Sequence, residues 1–212
     1  MITDAELLAA VDAEFDVTGS GLDRWADPHR GRAPHDDEYS RVTDPGRWRI
    51  VGARADAWLN ALAQRDLAAV ERDVRVQWRS PPTPVISRTA RTVPRVAGAL
   101  PLVVARSRID DTDDAGVTLG VGEPAVWVMS FPYCGCDACD TGAAHELDQI
   151  DEYILSIVTG RFRRLSRGDQ QITVLDGASW SGTDLSPRGA RDVLADPTGW
   201  DEISGASWLA EE

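Results

Sequence analysis

LPLVVARSRI at residues 100–109, GVTLGVG at 116–122 and PAVWVMSF at 124–131 decide the fold class of this 212-residue chain. Each stretch is rich in β-branched and other apolar residues, and turn-forming residues separate each from the next. Short runs of this kind are typical of consecutive strands joined by tight turns. They predict an antiparallel meander. Apolar and polar residues also alternate in VRVQW, residues 74–78, which predicts a further strand before the meander.

The segments before and after these strands have apolar residues at helical spacing. Thr3 followed by Glu6 matches a capping box, and Ser186 before Pro187 matches an N-cap with proline at the first helical position. The helices are predicted at 4–16, 46–69, from near 141 to 158, and 187–194. RFRRLSR and QITVLDG flank the dipeptide Gly168-Asp169, which predicts a hairpin.

Strands that come in runs, rather than in strict alternation with helices, favour the α+β class over a doubly wound parallel sheet. We therefore expect an antiparallel sheet, a meander plus a hairpin, packed against three to four helices. The length fits one α+β domain over residues 1–212. Residues 17–45 lack periodicity and are rich in Gly, Pro, Asp and Arg, which predicts a long irregular loop. So long a loop is usually functional or is an arm laid over the surface.

The chain is strongly acidic, with a formal net charge of -13, and all 22 of its basic residues are arginines. Nucleic-acid affinity depends on clustered cations that neutralise phosphates, so the composition argues against DNA or RNA as a partner. Anionic membranes are disfavoured for the same reason. An acidic surface favours solubility and can attract a basic protein partner.

The N-terminal stretch MITDAELLAAVDAEFD is acidic from its fourth residue, unlike a secretory signal peptide. The apolar runs are shorter than the roughly 20 residues that a transmembrane helix needs. We expect a cytoplasmic protein.

The candidate site is a cysteine loop. Cys134, Cys136 and Cys139 form C-x-C-x2-C, and His145 follows six residues later. Three cysteines and a histidine commonly hold zinc in a tetrahedral structural site, with no coordination position left for water. Gly135 would allow the bend that brings the first two sulfurs together. The sequence thus predicts a zinc site made of these four residues.

Other interpretations of the loop stay open. Asp137, Asp140 or a histidine from residues 17–45 could supply the fourth ligand in place of His145. The three thiols could also be unliganded. C-x-C and C-x2-C are dithiol spacings too, so thiol-disulfide exchange is a further alternative.

Three other motifs point to chemistry less directly. DPHRGRAPHDDEY lies in the irregular loop, and five of its residues could bind a divalent cation: His29, His35, Asp36, Asp37 and Glu38. IDDTDDAG, residues 109–116, resembles the start of an EF-hand when counted from Asp111, but Gly122 stands at the twelfth position, where an EF-hand has glutamate. We predict a solvated hairpin loop there. GASWSG, residues 177–182, has a serine where a nucleophile elbow needs glycine, so a catalytic Ser179 is not expected.

The stretches FPYCGCDACD, GRFRRL and DDEYSRVTDPGRW together resemble a family of actinobacterial proteins of unknown function. The resemblance covers most of the chain, and CGCDACD is its most specific part. It implies no activity, fold or ligand.

The residues therefore favour an acidic cytosolic protein with a structural zinc loop and a binding or regulatory role. One alternative is a thiol-dependent or redox enzyme that uses the same loop. Another is an acidic, immunity- or inhibitor-type protein that binds a partner. The absence of lysine excludes a Walker A lysine or a Schiff base, and no catalytic motif is complete.

Overall fold

The computed structural model describes residues 2–176 and 180–209, and this part of the chain contains four α-helices and nine β-strands. The helices are α1 (Asp4–Thr18), α2 (Arg49–Gln64), α3 (Ala143–Val158) and α4 (Pro187–Ala195). The strands are β1 (Ala68–Glu71), β2 (Ile86–Pro94), β3 (Leu102–Ile109), β4 (Thr112–Val121), β5 (Val126–Phe131), β6 (Arg163–Arg167), β7 (Gln170–Val174), β8 (Trp180–Thr183) and β9 (Asp201–Ser204). Three short 3-10 helices span Asp36–Ser40, Pro45–Trp48 and Asp137–Cys139.

The strands form two antiparallel sheets. The first sheet has the order β1-β2-β3-β4-β5, and the second has the order β8-β7-β6-β9. The α+β class is confirmed. The predicted meander is β3-β4-β5, and the predicted hairpin is β6-β7. The hairpin belongs to the second sheet and does not continue the meander.

The start of the first sheet differs from the prediction. Strands β1 and β2 carry no signal that predicts them, and the predicted strand at 74–78 is wrong. Among the described residues, that segment forms an isolated bridge between Trp78 and Ala125 but no ladder. Its alternation comes from side-chain packing. A Cβ atom at Gly120 of β4 would lie 2.6 Å from Cζ3 of Trp78, so the tryptophan lies directly over the sheet at this glycine.

The predicted helices α1 and α4 are confirmed, together with their caps. The Thr3–Glu6 capping box opens α1, and Ser186 Oγ accepts a hydrogen bond from the amide of Gly189 at 3.1 Å. The second helix was predicted to end at residue 69, but α2 ends at Gln64. Asp66 adopts a φ of 55°, a left-handed conformation that a right-handed helix cannot contain. The chain turns there and enters β1.

Two hydrophobic clusters lie beneath these elements. The larger cluster packs α1, α2 and α3 against the first sheet and includes the fully buried Trp48 and Trp58. The smaller cluster lies between the second sheet and α4 and contains Leu165, Ile172 and Ala190. That residues 1–212 form a single domain stays a prediction. In the described residues, no helix has the length and apolar character to cross a membrane.

Residues 17–45, predicted as one irregular loop, begin inside α1 and include the 3-10 helix Asp36–Ser40. Turns and extended chain make up the remainder. This segment runs to the cysteine loop, where it makes the contacts described next.

Candidate metal centre

The cysteine loop connects the end of β5 to the start of α3. Pro132 follows Phe131, the last residue of β5, and cannot donate a ladder hydrogen bond, so the strand stops there. The chain then makes the 3-10 turn Asp137–Cys139. A Cβ atom at Gly135 would lie 2.8 Å from Cγ2 of Ile109. The close packing of the loop on β3 therefore requires glycine at this position.

The structure brings the three cysteine sulfurs together. Their Sγ atoms all lie within 4.8 Å of one another, and those of Cys134 and Cys136 are 3.2 Å apart. Tetrahedral zinc with Zn–S bonds of about 2.3 Å places its sulfurs about 3.8 Å apart. The cluster therefore needs only small adjustments to hold such an ion. Cys136 is buried, while Cys134 and Cys139 are exposed.

The thiols differ in acidity. Burial raises the pKa of Cys136, but hydrogen bonds from Cys134, Cys139 and the backbone amides of Cys139 and Ala138 outweigh burial, so its pKa lies below the ordinary thiol value. Burial and the neighbouring cysteines raise the pKa of Cys139 to about 12. Amide and thiol donors thus converge on one sulfur, Cys136, an arrangement that favours its thiolate.

His145 lies beside this cluster but is not part of it. It is exposed in the first turn of α3, and the set of mutually close donor atoms consists of the three sulfurs without a histidine nitrogen. His145, Cys134 and Cys139 line one cleft of about 240 Å³, which we call the cysteine cleft. Glu146 also lines it. Burial raises the pKa of Glu146, and Thr141 Oγ1 donates a hydrogen bond to its carboxylate at 3.3 Å.

The carboxylate of Asp137, an alternative fourth ligand, is bound to another part of the chain. It accepts hydrogen bonds from the Thr43 amide at 2.9 Å, from the Thr43 hydroxyl, and from Arg41 Nε at 2.8 Å. Burial raises the pKa of Asp137, but the Thr43 and Arg41 hydrogen bonds and the nearby Arg47 outweigh burial and lower it to about 2. Asp137 therefore anchors residues 41–47 as an acceptor that is charged at neutral pH.

Asp140, the other acidic candidate for the fourth ligand, is also bound to another part of the chain. Trp25 Nε1 donates a hydrogen bond to Asp140 Oδ1 at 2.8 Å, and Arg47 Nη2 lies 3.2 Å from Oδ2.

Backbone contacts join the same two parts of the chain. The amide of Ala143 donates to the carbonyl oxygen of Trp25 at 3.1 Å. Gly142 has a φ of 85°, and a Cβ atom there would lie 2.6 Å from the backbone nitrogen of Asp27. Residues 25–47, which we call the covering segment, thus lie directly on the cysteine loop.

One histidine of the covering segment reaches the loop. Nε2 of His29 lies 2.9 Å from the carbonyl oxygen of Asp137. A carbonyl can only accept, so Nε2 must carry the proton. Nδ1 of His29 is buried, and among the described residues it has no hydrogen-bond partner.

The other members of the predicted cation site do not converge on one point. Glu38 forms an ion pair with Arg32 at 2.9 Å, and Asp37 forms one with Arg41 at 2.6 Å. His35 and Asp36 are exposed. In the described part of the chain, the cysteines are the one group of three or more His, Cys, Asp or Glu residues with mutually close donor atoms.

The motif IDDTDDAG lies at the end of β3 and the start of β4. Asp113 pairs with Arg108 at 2.7 Å, and Asp114 pairs with Arg88 at 3.0 Å, at the turn between β3 and β4. The prediction of a solvated hairpin loop, rather than a calcium site, agrees with this placement. Ser179 lies outside the described residues.

Replacing Asp137 by Asn is expected to destabilise the protein by about 1–3 kcal/mol at neutral pH, because an amide cannot accept all the hydrogen bonds that Thr43 and Arg41 donate to the carboxylate. Urea unfolding would measure the change. Asp36→Asn is the matched control, since Asp36 is exposed in the same covering segment. Equal stability of both variants and the wild type would contradict the anchoring role of Asp137.

Three soft sulfur donors at this spacing could hold a metal such as zinc. Spacing in the sequence was sufficient to find the cysteines. The roles of Trp25, Arg47 and Thr43 could not be found in this way, because their partners are about a hundred residues away in the chain.

Comparison with known proteins gives a family but no activity. No curated protein and no solved structure matches the chain. The model of a family of unknown function, DUF6226, matches residues 11–210. That range includes the cysteine loop, the covering segment and both sheets. The chain therefore belongs to this family of unknown function, DUF6226.

Proposed function

We propose that the protein is a zinc-binding domain in which Cys134, Cys136 and Cys139 hold a structural zinc ion, and that it acts by binding rather than by catalysis. The observation that carries the proposal is the mutual approach of the three sulfurs to within 4.8 Å. Thiolate ligands select zinc over magnesium or calcium, which prefer oxygen. Zinc binding needs the cysteines in their reduced form, which suits the reducing cytoplasm, where we place the protein.

We assign the fourth ligand position to His145. It lines the cysteine cleft together with Cys134 and Cys139. Its exposed side chain is free of the hydrogen bonds that engage Asp137 and Asp140, so it can turn toward the sulfurs. A shell of three cysteines and one histidine is closed and has no position for a reacting water.

A structural role for the zinc is supported by the contacts between the cysteine loop and the covering segment. Asp137 and Asp140 alternate with the cysteines and hold the covering segment through Thr43 and Trp25. An ion that fixes the positions of the cysteines also fixes these carboxylates. The zinc would therefore stabilise the junction between the covering segment and the start of α3.

A thiol-dependent enzyme is the second candidate, and the lowered pKa of Cys136 favours it. The geometry of the cysteine loop is less suitable for such an enzyme. Cys136 is the buried thiol, whereas the exposed Cys139 has a pKa raised to about 12 and is a poor nucleophile at neutral pH.

Elemental analysis of protein purified without a metal-affinity tag or added metal tests the proposal. We expect one zinc per chain in the wild type, none in Cys136→Ser, and a reduced content in His145→Ala. His35→Ala is the matched control, because His35 is exposed and lies outside the cysteine cleft. A full zinc content in this control supports a specific role for His145.

Absence of metal, together with three titratable thiols in the native wild type, would overturn the proposal and leave the thiol enzyme as the better candidate. One zinc per chain in the wild type and also in His145→Ala would remove His145 from the coordination shell. The fourth position would then be open to water or to a ligand from the cysteine cleft.

A further inference from the structure

Three arginines are almost fully buried, and they differ in how their charge is balanced. Arg54, Arg106 and Arg164 are 5%, 6% and 4% exposed. Arg54 pairs with Asp151 at 2.6 Å, and Arg106 pairs with Asp56 at 2.5 Å. No carboxylate of the described residues lies within ion-pair distance of Arg164. The first two are balanced by carboxylates of the protein, and the third is not.

Arg164 is held in place by neutral groups. Its Nη1 donates a hydrogen bond to the carbonyl oxygen of Trp127 at 2.5 Å, and its Nη2 donates one to Gln171 Oε1. The guanidinium carbon lies 5.4 Å from the centroid of the Trp127 ring. Burial lowers the pKa of Arg164, but a guanidinium remains charged at neutral pH. A buried cation without a counter-ion is costly, so an anionic ligand that supplies one is favoured.

Arg164 lines a cleft of about 680 Å³ between the two sheets, which we call the arginine cleft. Trp127 of β5 stands on one side, and Gln171 and Ile203 of the second sheet stand on the other. The proline-rich loop 79–84 forms a third wall. This volume lies within the roughly 300–1,000 Å³ typical of small-molecule sites.

The charges in the cleft favour an anion. Arg79, which is exposed and also has no ion-pair partner in the described parts of the chain, lines it together with Arg164. Asp201 is the one carboxylate among the described lining residues, and it is exposed. Arg164 and Arg79 thus bring two guanidinium groups, neither with a carboxylate partner among the described residues, to one cleft of a protein of net charge -13. Guanidinium groups bind carboxylates and phosphates through paired, charge-assisted hydrogen bonds.

The walls favour a ligand that also has a flat apolar part. Trp127 is half-buried and its Nε1 donates to Ser130 Oγ at 3.1 Å, which fixes the ring. Pro81, Pro82 and Ile203 add apolar surface. We infer that the arginine cleft binds a small organic anion, an aromatic or heterocyclic carboxylate or phosphate, with its anionic group on Arg164 and Arg79 and its ring on Trp127. This inference goes beyond the zinc proposal and does not depend on it.

The arginine cleft adjoins the cysteine cleft. Ser130 and Tyr133 line both, and Tyr133 is 78% exposed between them. A ligand in the arginine cleft would therefore lie next to the cysteine loop.

Titration calorimetry with phenyl phosphate, benzoate, inorganic phosphate and benzylamine tests the inference. We expect saturable binding of phenyl phosphate or benzoate with a Kd on the order of 1 mM or tighter. Inorganic phosphate should bind more weakly, because it lacks the ring, and benzylamine should not bind, because it is a cation. Binding of inorganic phosphate as tight as that of phenyl phosphate would overturn the part of the inference that concerns the ring.

Arg164→Gln and Arg79→Gln are each expected to weaken binding by about tenfold or more, the usual effect of losing a charge-assisted hydrogen bond. Arg65→Gln changes the net charge equally but alters an exposed residue at the end of α2, and it should bind like the wild type. Circular dichroism checks that Arg164→Gln folds. If Arg164→Gln does not fold, the affinity of Arg79→Gln tests the inference, because Arg79 is exposed and its replacement should leave the fold intact. Failure of both anions to saturate at about 10 mM, or unchanged affinity in Arg79→Gln, would overturn the inference.

Discussion

Removing the zinc ion that we propose for the cysteine loop is expected to lower the midpoint of thermal unfolding by about 10 °C or more. A structural zinc contributes its binding free energy directly to folding, and a chain of this size loses about 2–4 °C for each kcal/mol of stability. The loss should begin in the covering segment, because Asp137 and Asp140 hold that segment to the cysteine loop. Differential scanning calorimetry with and without a zinc-selective chelator measures the change.

Hydrogen exchange locates the effect. After chelation, the amides of Thr43 and Ala143 should exchange faster, because the first donates to Asp137 and the second to Trp25. The amide of Leu102, which donates to Thr92 Oγ1 in the first sheet, is the internal control. Cys136→Ser protein should not respond to the chelator. An unchanged midpoint in chelated wild type from which the zinc has been lost would contradict a structural role.

Replacing Asp151 by Asn is expected to destabilise the protein by about 3–5 kcal/mol, the usual cost of breaking a buried ion pair from one side. Asp151 accepts hydrogen bonds from Arg54 Nε at 2.8 Å, from Arg54 Nη2 at 2.6 Å and from Trp58 Nε1 at 2.6 Å. Arg54 is 5% exposed, so its charge would lose its main partner inside the core. These bonds join α2 to α3. Urea unfolding followed by tryptophan fluorescence measures the loss.

Asp12→Asn provides a matched control. Asp12 contacts the same guanidinium at 2.8 Å, but its side chain is 69% exposed. Solvent screens such a pair, and its removal should cost less than about 1 kcal/mol. Equal effects of the two substitutions would show that burial does not set the strength of these ion pairs.

Local patterns predicted the elements whose signals lie within a few residues of one another. The capping box at Thr3 and the N-cap at Ser186 gave correct helix starts. The apolar runs gave β3, β4 and β5. Strand β2, with the sequence ISRTARTVP, was missed because it alternates weakly and its pairing depends on neighbours elsewhere in the chain. The early end of α2 depends on the left-handed Asp66, which periodicity does not report.

In the candidate metal centre, too, only the features with a local signal could be predicted from the sequence. The three cysteines were identified from spacing, and they do converge. Two carboxylates near them, Asp137 and Asp140, had been considered as ligands, but they hold the covering segment. The arginine cleft was not foreseen at all. Its signal is a missing ion-pair partner for Arg164, and this can be recognised only when all the neighbours in space are known.

The contacts of the covering segment also have a consequence for the order in which the chain is made. Thr43 and Asp137 are 94 residues apart, and Trp25 and Asp140 are 115 residues apart. When the ribosome has released the covering segment, the residues that will hold it have not yet been synthesised. Contacts of such long sequence separation carry a large loop-closure cost and form late. The indole of Trp25 therefore cannot reach its partner Asp140 until the cysteine loop emerges.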